Sequence, residues 1–463
     1  MTATHAPRIA RRKFGFWMAT ALVVGNIIGS AIFMLPAGLA PFGWNAVSAW
    51  AITGVGALSL AWVFAELSRH LPVAGGSFGF MRLGVGEGAA FVGAWGYMVS
   101  VWSANAGITI AGISYLTRLV PALNAAPWAP PAAALAAIWG LTWVNLRGLH
   151  SAGRVQAVTT AIKLLPFVLV IGLAVWRVLA SGGAVLPAVH EGSFTLRQTT
   201  GAVGLTLFAM LGLESAAMPV DAVEHPERNV PRATVAGTAL SAAVTMIASC
   251  AVVLMLPADA VAASKAPVAD FIAGAFGNAA GVFVAACAVI SCLGCLNGWL
   301  LISGEVPVAM VQSGSLPRWF ARVNRRGAPA RSILLGAVIT SLLTLLAYTK
   351  AGVAAYNFAV LISTAAILAL YAFCVLAAQR FMRNGRVPPT AGLRASVALA
   401  ALFVLWAFYG SGWEAIIWGA ALTAVGWPIY RAAKRATATT AASAAALAAA
   451  GAAHADLRGR ESR

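Results

Sequence analysis

Two ionisable side chains sit where an apolar environment would be expected. Glu214 and Lys163 fall inside long apolar runs, where an unpaired charge is expensive enough that function is its default reading. Lys163 lies about ten residues into its run, roughly 15 Å deep at a rise of about 1.5 Å per residue, too deep for its ammonium to reach the surface along its own stem. The histidines all fall outside the apolar runs, so Glu214 and Lys163 are the candidates for a proton-linked step. A bland reading exists for Glu214, a protonated carboxyl bonded to nearby backbone. Cys292 and Cys295 form a C-x-x-C, but neither a second pair nor a histidine accompanies them, and they read as small packing residues. Metal, cofactor and catalytic constellation are not expected, which sets enzymes aside.

Two stretches carry a different kind of chemistry. "GNIIGSAIFMLP" (25–36) and "FAMLGLESAAMP" (208–219) place Gly and Ser inside apolar runs, although Gly costs about 1 kcal/mol against Ala in a helix interior. Unwinding a helix there frees backbone N–H and C=O groups at depth, where each is costly unless paired. A carboxylate can take the N–H groups at a half-helix N-terminus, and an ammonium can take the carbonyls. Close helix packing through glycine is the competing explanation. It is weaker for both stretches together than for either alone.

Elements must hold these residues at that depth. The 463 residues are 60% hydrophobic and 10% charged, with a mean hydropathy of +0.84, which makes lipid the solvent. The five cysteines lie in apolar runs, against a secreted disulfide scaffold. About twelve runs are long enough to cross a core of roughly 30 Å: 15–39, 45–68, 88–119, 130–149, 154–180, 198–222, 232–257, 277–312, 331–349, 353–379, 393–410 and 412–430. The start, "MTATHAPRIARRKFGF", imitates a signal peptide but reads as an uncleaved first span. The organisation predicted is a basic N-terminus (1–14), one membrane domain (15–430) and a low-complexity Ala/Thr-rich tail (431–463).

With the N-terminus inside, 25 of the 31 Lys and Arg fall on the cytoplasmic side, five on the other, and Lys163 within a span. That bias sets the orientation, with both termini cytoplasmic. It also accounts for the net charge of +18, so nucleic acid is not needed as a partner. Spans one and six, the two interrupted ones, are five apart. Interruptions at matching positions point to a five-plus-five inverted repeat, about 15–180 and 198–379, with discontinuous helices 1 and 6 and two further helices after it. The fold class predicted is an all-α integral membrane protein of about 12 transmembrane helices.

"GNIIGSAIF", "PVAGGSFGF" (72–80), "GLES" (212–215) and "EHPERNVPRAT" (224–234) resemble the amino acid–polyamine–organocation permeases. "RVQAV" (154–158), "CLGCLNGW" (292–299) and "WFARVNRRGAP" (319–329) are similar to the arginine/agmatine antiporter and basic amino acid/polyamine antiporter family within them. The resemblance spans about 14–430. It implies that Ile27, Ser30 and Ala31 hold a substrate carboxylate, that Phe208 and Leu211 line the pocket, and that Trp299 lies against the substrate's stem. It places Asn105 and Ser363 near the substrate's side-chain head, Ile108 beside the stem, and Tyr97, Glu214 and Tyr371 at a cytoplasmic-side gate. Three positions depart from the family: Ala31 stands for Gly, Phe208 for a Trp that stacks on the cation, and Ile108 for Met. In proton-coupled permeases of the superfamily a fifth-helix Lys occupies the place of a sodium ion, which makes Lys163 a coupling candidate.

The expectation is a secondary active amino acid transporter of the inner membrane, exchanging cationic or related amino acids and their amines by alternating access. The alternative is proton-coupled uptake of neutral amino acids using Lys163. A nutrient sensor and an ion channel are the remaining classes, and neither a signalling domain nor a ring of like pore residues supports them. The partners expected are a small amino acid or amine, membrane lipid and, since relatives are often dimers, a second copy of the chain.

Overall fold

The computed structural model describes residues 15–71, 76–147, 165–190, 193–214 and 223–436. The described residues are helical throughout, without a β-strand. The helices are α1 (Phe16–Ile27), α2 (Ala31–Leu39), α3 (Trp44–His70), α4 (Ser77–Gly84), α5 (Glu87–Leu119), α6 (Ala129–Leu146), α7 (Leu165–Ala180), α8 (Leu196–Phe208), α9 (Pro226–Met255), α10 (Ala258–Ala263), α11 (Pro267–Phe276), α12 (Asn278–Gln312), α13 (Ala330–Ala347), α14 (Val353–Arg383) and α15 (Ala391–Gly410). A last helix, α16, covers 413–436. Each of the twelve apolar runs contains one of these helices. Among the described residues six helices are long and apolar enough to cross a membrane by themselves, and α1 with α2 makes a seventh as one bent span. The chain is an all-α membrane protein.

Burial separates the centre of the bundle from its rim. The most apolar window of α14 is 72% buried inside the protein, while that of α15 is 33% buried. The large side chains of α15 that stay outside, such as Leu402 and Leu405, therefore meet lipid. In the middle, α5 packs most extensively against α14 and α12. Two helix starts are fixed by side chains. Thr195 accepts a hydrogen bond from the backbone N–H of Gln198 at the start of α8 (3.4 Å), and Thr390 does the same for Leu393 at the start of α15 (3.2 Å), each pairing a donor the helix leaves open. Buried Asn45, at the start of α3, accepts from the Thr195 N–H (2.7 Å) and donates to Gln198 (2.7 Å). That one side chain sets where α8 begins.

Both interruptions are real breaks. α1 ends at Ile27, Ile28 is extended (φ −75°, ψ 94°), and α2 restarts at Ala31 with a bend of 41°. Gly29 is required by what faces it, since a Cβ there would stand 2.6 Å from the Cys295 sulfur on α12. α8 stops at Phe208 and passes through tight turns in which Ala209, Met210 and Leu211 donate to Thr206, Leu207 and Phe208. Gly212 follows with φ +105°, and a Cβ on it would lie 3.1 Å from the backbone of Asn26. Left-handed geometry and close approach both demand glycine there. The second break thus rests on the first.

Ties at the two ends of the bundle complete the frame. Tyr115, fully buried near the end of α5, donates to the Phe33 carbonyl on α2 (2.7 Å) and accepts from the Val268 N–H on α11 (3.1 Å). Arg118 pairs with Asp270 beside it. At the opposite end, Asn324 in the connector after α12 donates to the Leu146 carbonyl that closes α6 (2.8 Å).

Candidate functional site

Where the two breaks meet, a cavity of about 280 Å³ opens between four elements. Asn26, Ile27, Gly29, Ser30 and Ala31 supply one wall from the first break, Phe208 and Leu211 another from the second, Ala104 and Ile108 a third from α5, and Cys295 and Trp299 a fourth from α12. That volume counts space open to the surroundings, and little of it takes a water-sized sphere, so the walls stand close together here. Among the described residues the lining contains no ionised side chain. Charge on a ligand would therefore be met by backbone groups, by aromatic faces and by neutral polar atoms.

Two buried polar side chains near the cavity lack hydrogen-bond partners among the described residues. The Ser30 hydroxyl, at the residue that begins α2, is buried and makes no hydrogen bond. A hydroxyl at a half-helix N-terminus is where an anion is favoured by the exposed N–H groups and the helix dipole. On α5, Asn105 is fully buried, and neither its amide nitrogen nor its amide oxygen has a partner. Leaving a buried polar group unpaired costs about 1–3 kcal/mol, which a ligand with matching groups would recover.

Of the residues the sequence nominated, Ile27, Ser30, Ala31, Ile108, Phe208, Leu211 and Trp299 all line the cavity. Asn105 and Ser363 do not. Asn105 adjoins the wall residue Ala104, whereas Ser363 is committed elsewhere, donating to the Ser100 carbonyl and sharing a second hydrogen bond with the Ser100 hydroxyl, both 2.9 Å. That pair joins α14 to α5. Lys163 and the "RVQAV" stretch lie outside the described residues.

The nominated gate residues come together. Glu214, fully buried just past the second break, accepts from the Tyr371 hydroxyl on α14 (3.0 Å) and from the Gly212 N–H (3.3 Å). Tyr97 on α5 stands beside the same carboxyl. No cation pairs with Glu214 among the described residues. Three elements are thus held at one point by a carboxyl whose charge state decides how firmly it accepts.

Some wall residues escaped the sequence reading. Cys295 stands one helical turn from Trp299, and Ala104 one turn from Ile108, so the i, i+4 rule would have found both once one partner was fixed. Tyr356 is less legible. Its ring meets Phe208 edge-on at 6.3 Å, and its buried hydroxyl makes no hydrogen bond, so it braces the cavity's aromatic wall from behind.

The sequence profile of the family described as amino acid permease matches residues 14–436. The chain belongs to the amino acid permease family. This permease is similar to the putrescine transporter PotE of Escherichia coli strain K12, at 29% identity over 428 residues covering 90% of the chain and 95% of that protein. It is similar also to the cadaverine/lysine antiporter of the same strain, at 32% identity over 348 residues covering 72% and 75%. The permease is a multi-pass membrane transporter and not an enzyme. These relatives are named for small amines and an amino acid.

Proposed function

We propose that this permease exchanges a basic amino acid or its decarboxylated amine across the inner membrane by alternating access, with both termini in the cytoplasm. The observation that carries the reading is the cavity at the meeting of the two helix breaks, which among the described residues is free of ionised side chains and flanked by a Ser30 hydroxyl and an Asn105 amide without hydrogen-bond partners. In this reading an α-carboxylate lies on the α2 N-terminus at Ser30 and Ala31, and an amine lies on carbonyls freed at both breaks. Trp299 and Phe208 enclose the aliphatic stem, and Asn105 meets the distal head. Ile108 and Leu211 fill the remaining wall. A diamine, having no carboxylate, would use the carbonyls and the ring faces, where cations are attracted to the π quadrupole.

Access from the inner side is closed by Glu214, Tyr371 and Tyr97, and from the outer side by Phe208 backed by Tyr356. Ser363 acts in this reading through Ser100, by fixing α14 on α5. The five-plus-five repeat supplies the rocking of one half against the other.

Counterflow in proteoliposomes with labelled lysine, arginine, ornithine, cadaverine and putrescine tests the reading. Flux that requires substrate on the opposite side, for one of these compounds, is expected. Robust uptake into empty vesicles under an inward proton gradient, lost in Lys163→Ala, would replace exchange with proton-coupled uptake.

A further inference from the structure

A second, larger cavity of about 740 Å³ lies outside the substrate site, between α5, α6 and α12. Its floor includes Ile108 and Gly112 of α5 and Cys292 of α12, and its rim includes Gly140 and Val144 of α6 and Leu293 of α12. The floor is buried, while the rim residues are partly or fully exposed on the outside of the bundle. It is therefore a groove open to the bilayer. An apolar cleft of this kind holds no ordered water, and in a membrane its natural filling is hydrocarbon.

A charge stands about one helical turn beyond the last α6 residue that lines the groove, Val144. Ala133, Ala137, Gly140 and Val144 line it along one face of α6, and Arg147 is the next residue on that face at helical spacing. Arg147 is exposed and its guanidinium lies 3.4 Å over the Trp143 ring. No carboxylate pairs with it among the described residues, and the sequence contains no Asp or Glu between Glu87 and Glu191. The anion for this cation has to come from outside that stretch of chain. An aromatic and an arginine at a helix end are the side chains that settle at the headgroup level of a bilayer.

We infer that the groove is a binding site for one anionic phospholipid, its acyl chain between α5, α6 and α12 and its phosphate on Arg147. The site is distinct from the substrate cavity and does not depend on which substrate is carried. It shares Ile108 with that cavity, so the lipid tail presses on the far side of the wall the substrate touches.

Native mass spectrometry of the full-length permease, released from nanodiscs of phosphatidylcholine doped with phosphatidylglycerol, tests the inference. Wild type is expected to keep phosphatidylglycerol over phosphatidylcholine by about fivefold, the factor corresponding to roughly 1 kcal/mol per basic residue at a membrane surface. Arg147→Gln should retain lipid without preference, and Arg147→Lys should restore the preference. Gly140→Leu should lose both lipids while keeping its fold, because a Cβ at Gly140 meets nothing within 4 Å and Leu favours helix over Gly. Equal retention of both lipids by wild type, undiminished retention in Gly140→Leu, or a lipid-free dimer would each overturn the inference. Because the readout is bound mass, a failed transport assay leaves it untouched, and the reverse also holds.

Discussion

Trp299 tests the pocket at the scale of one residue, because its indole faces the cavity beside Cys295 and the first break. Trp299→Ala is expected to weaken substrate binding by about 1–3 kcal/mol, tenfold or more, through lost aromatic contact. Calorimetric titration of the purified protein measures this, with an unchanged elution profile showing that the fold survives. Binding at wild-type strength would make Trp299 mere packing. Phe208 sets selectivity: its ring offers a weaker cation site than an indole, so Phe208→Trp should shift competition in counterflow toward arginine or agmatine and away from neutral amino acids. An unmoved ratio would place the cationic head away from the sixth span. Type and spacing disclosed the two interrupted stretches, while the pocket roles of Ile27, Ser30, Ala31, Phe208, Leu211, Ile108 and Trp299 came from the family resemblance. Ser363 pairs with Ser100 and does not line the cavity, a choice of partner that sequence cannot disclose. Tyr356 was missed because a tyrosine in an apolar helix looks the same whether its hydroxyl is paired or spare.

At the scale of elements, the site exists because two helices stop. The break after Phe208 rests on the backbone of Asn26 through Gly212, whose φ of +105° and 3.1 Å clearance exclude a Cβ. Gly212→Ala should therefore cost roughly 1–3 kcal/mol of backbone strain and separate the two breaks, giving a lower thermal midpoint together with loss of exchange. Full exchange in a Gly212→Ala protein would mean that the breaks need not touch. The breaks were readable in advance because Gly and Ser inside an apolar run oppose helix propensity, and nothing but a local need keeps them. The contribution of α5 and α12 to the walls was harder to read. Central helices are apolar on every side, so no periodic stripe marks the face that turns to a ligand. The register is supplied by tertiary contacts such as Gly29 against Cys295, which span most of the chain.

For the whole molecule, a twelve-span arrangement with the N-terminus inside divides Lys and Arg 25 to five between the two sides, which makes a prediction of sidedness. Protease sites appended to each terminus should be cut in inside-out vesicles and protected in intact cells; opposite behaviour of the two termini would break the twelve-span arrangement. Hydropathy disclosed the all-α membrane class and where the long helices fall, since crossing a bilayer demands length and apolarity whatever the packing. It said nothing of the ties between spans, and one of these reaches further than its size suggests. The Tyr115 hydroxyl is shared by the Phe33 carbonyl of α2 and the Val268 N–H of α11. Any tilt of α2 as it grips a ligand must then drag or release α11, which ends at the exposed Phe276. Four of the five native cysteines are buried and Cys250 is partly so, so a dye attached at Phe276→Cys would be an optical reporter of occupancy, coupled to the pocket through that phenol and the packing of α2 on α11 and readable without a labelled substrate.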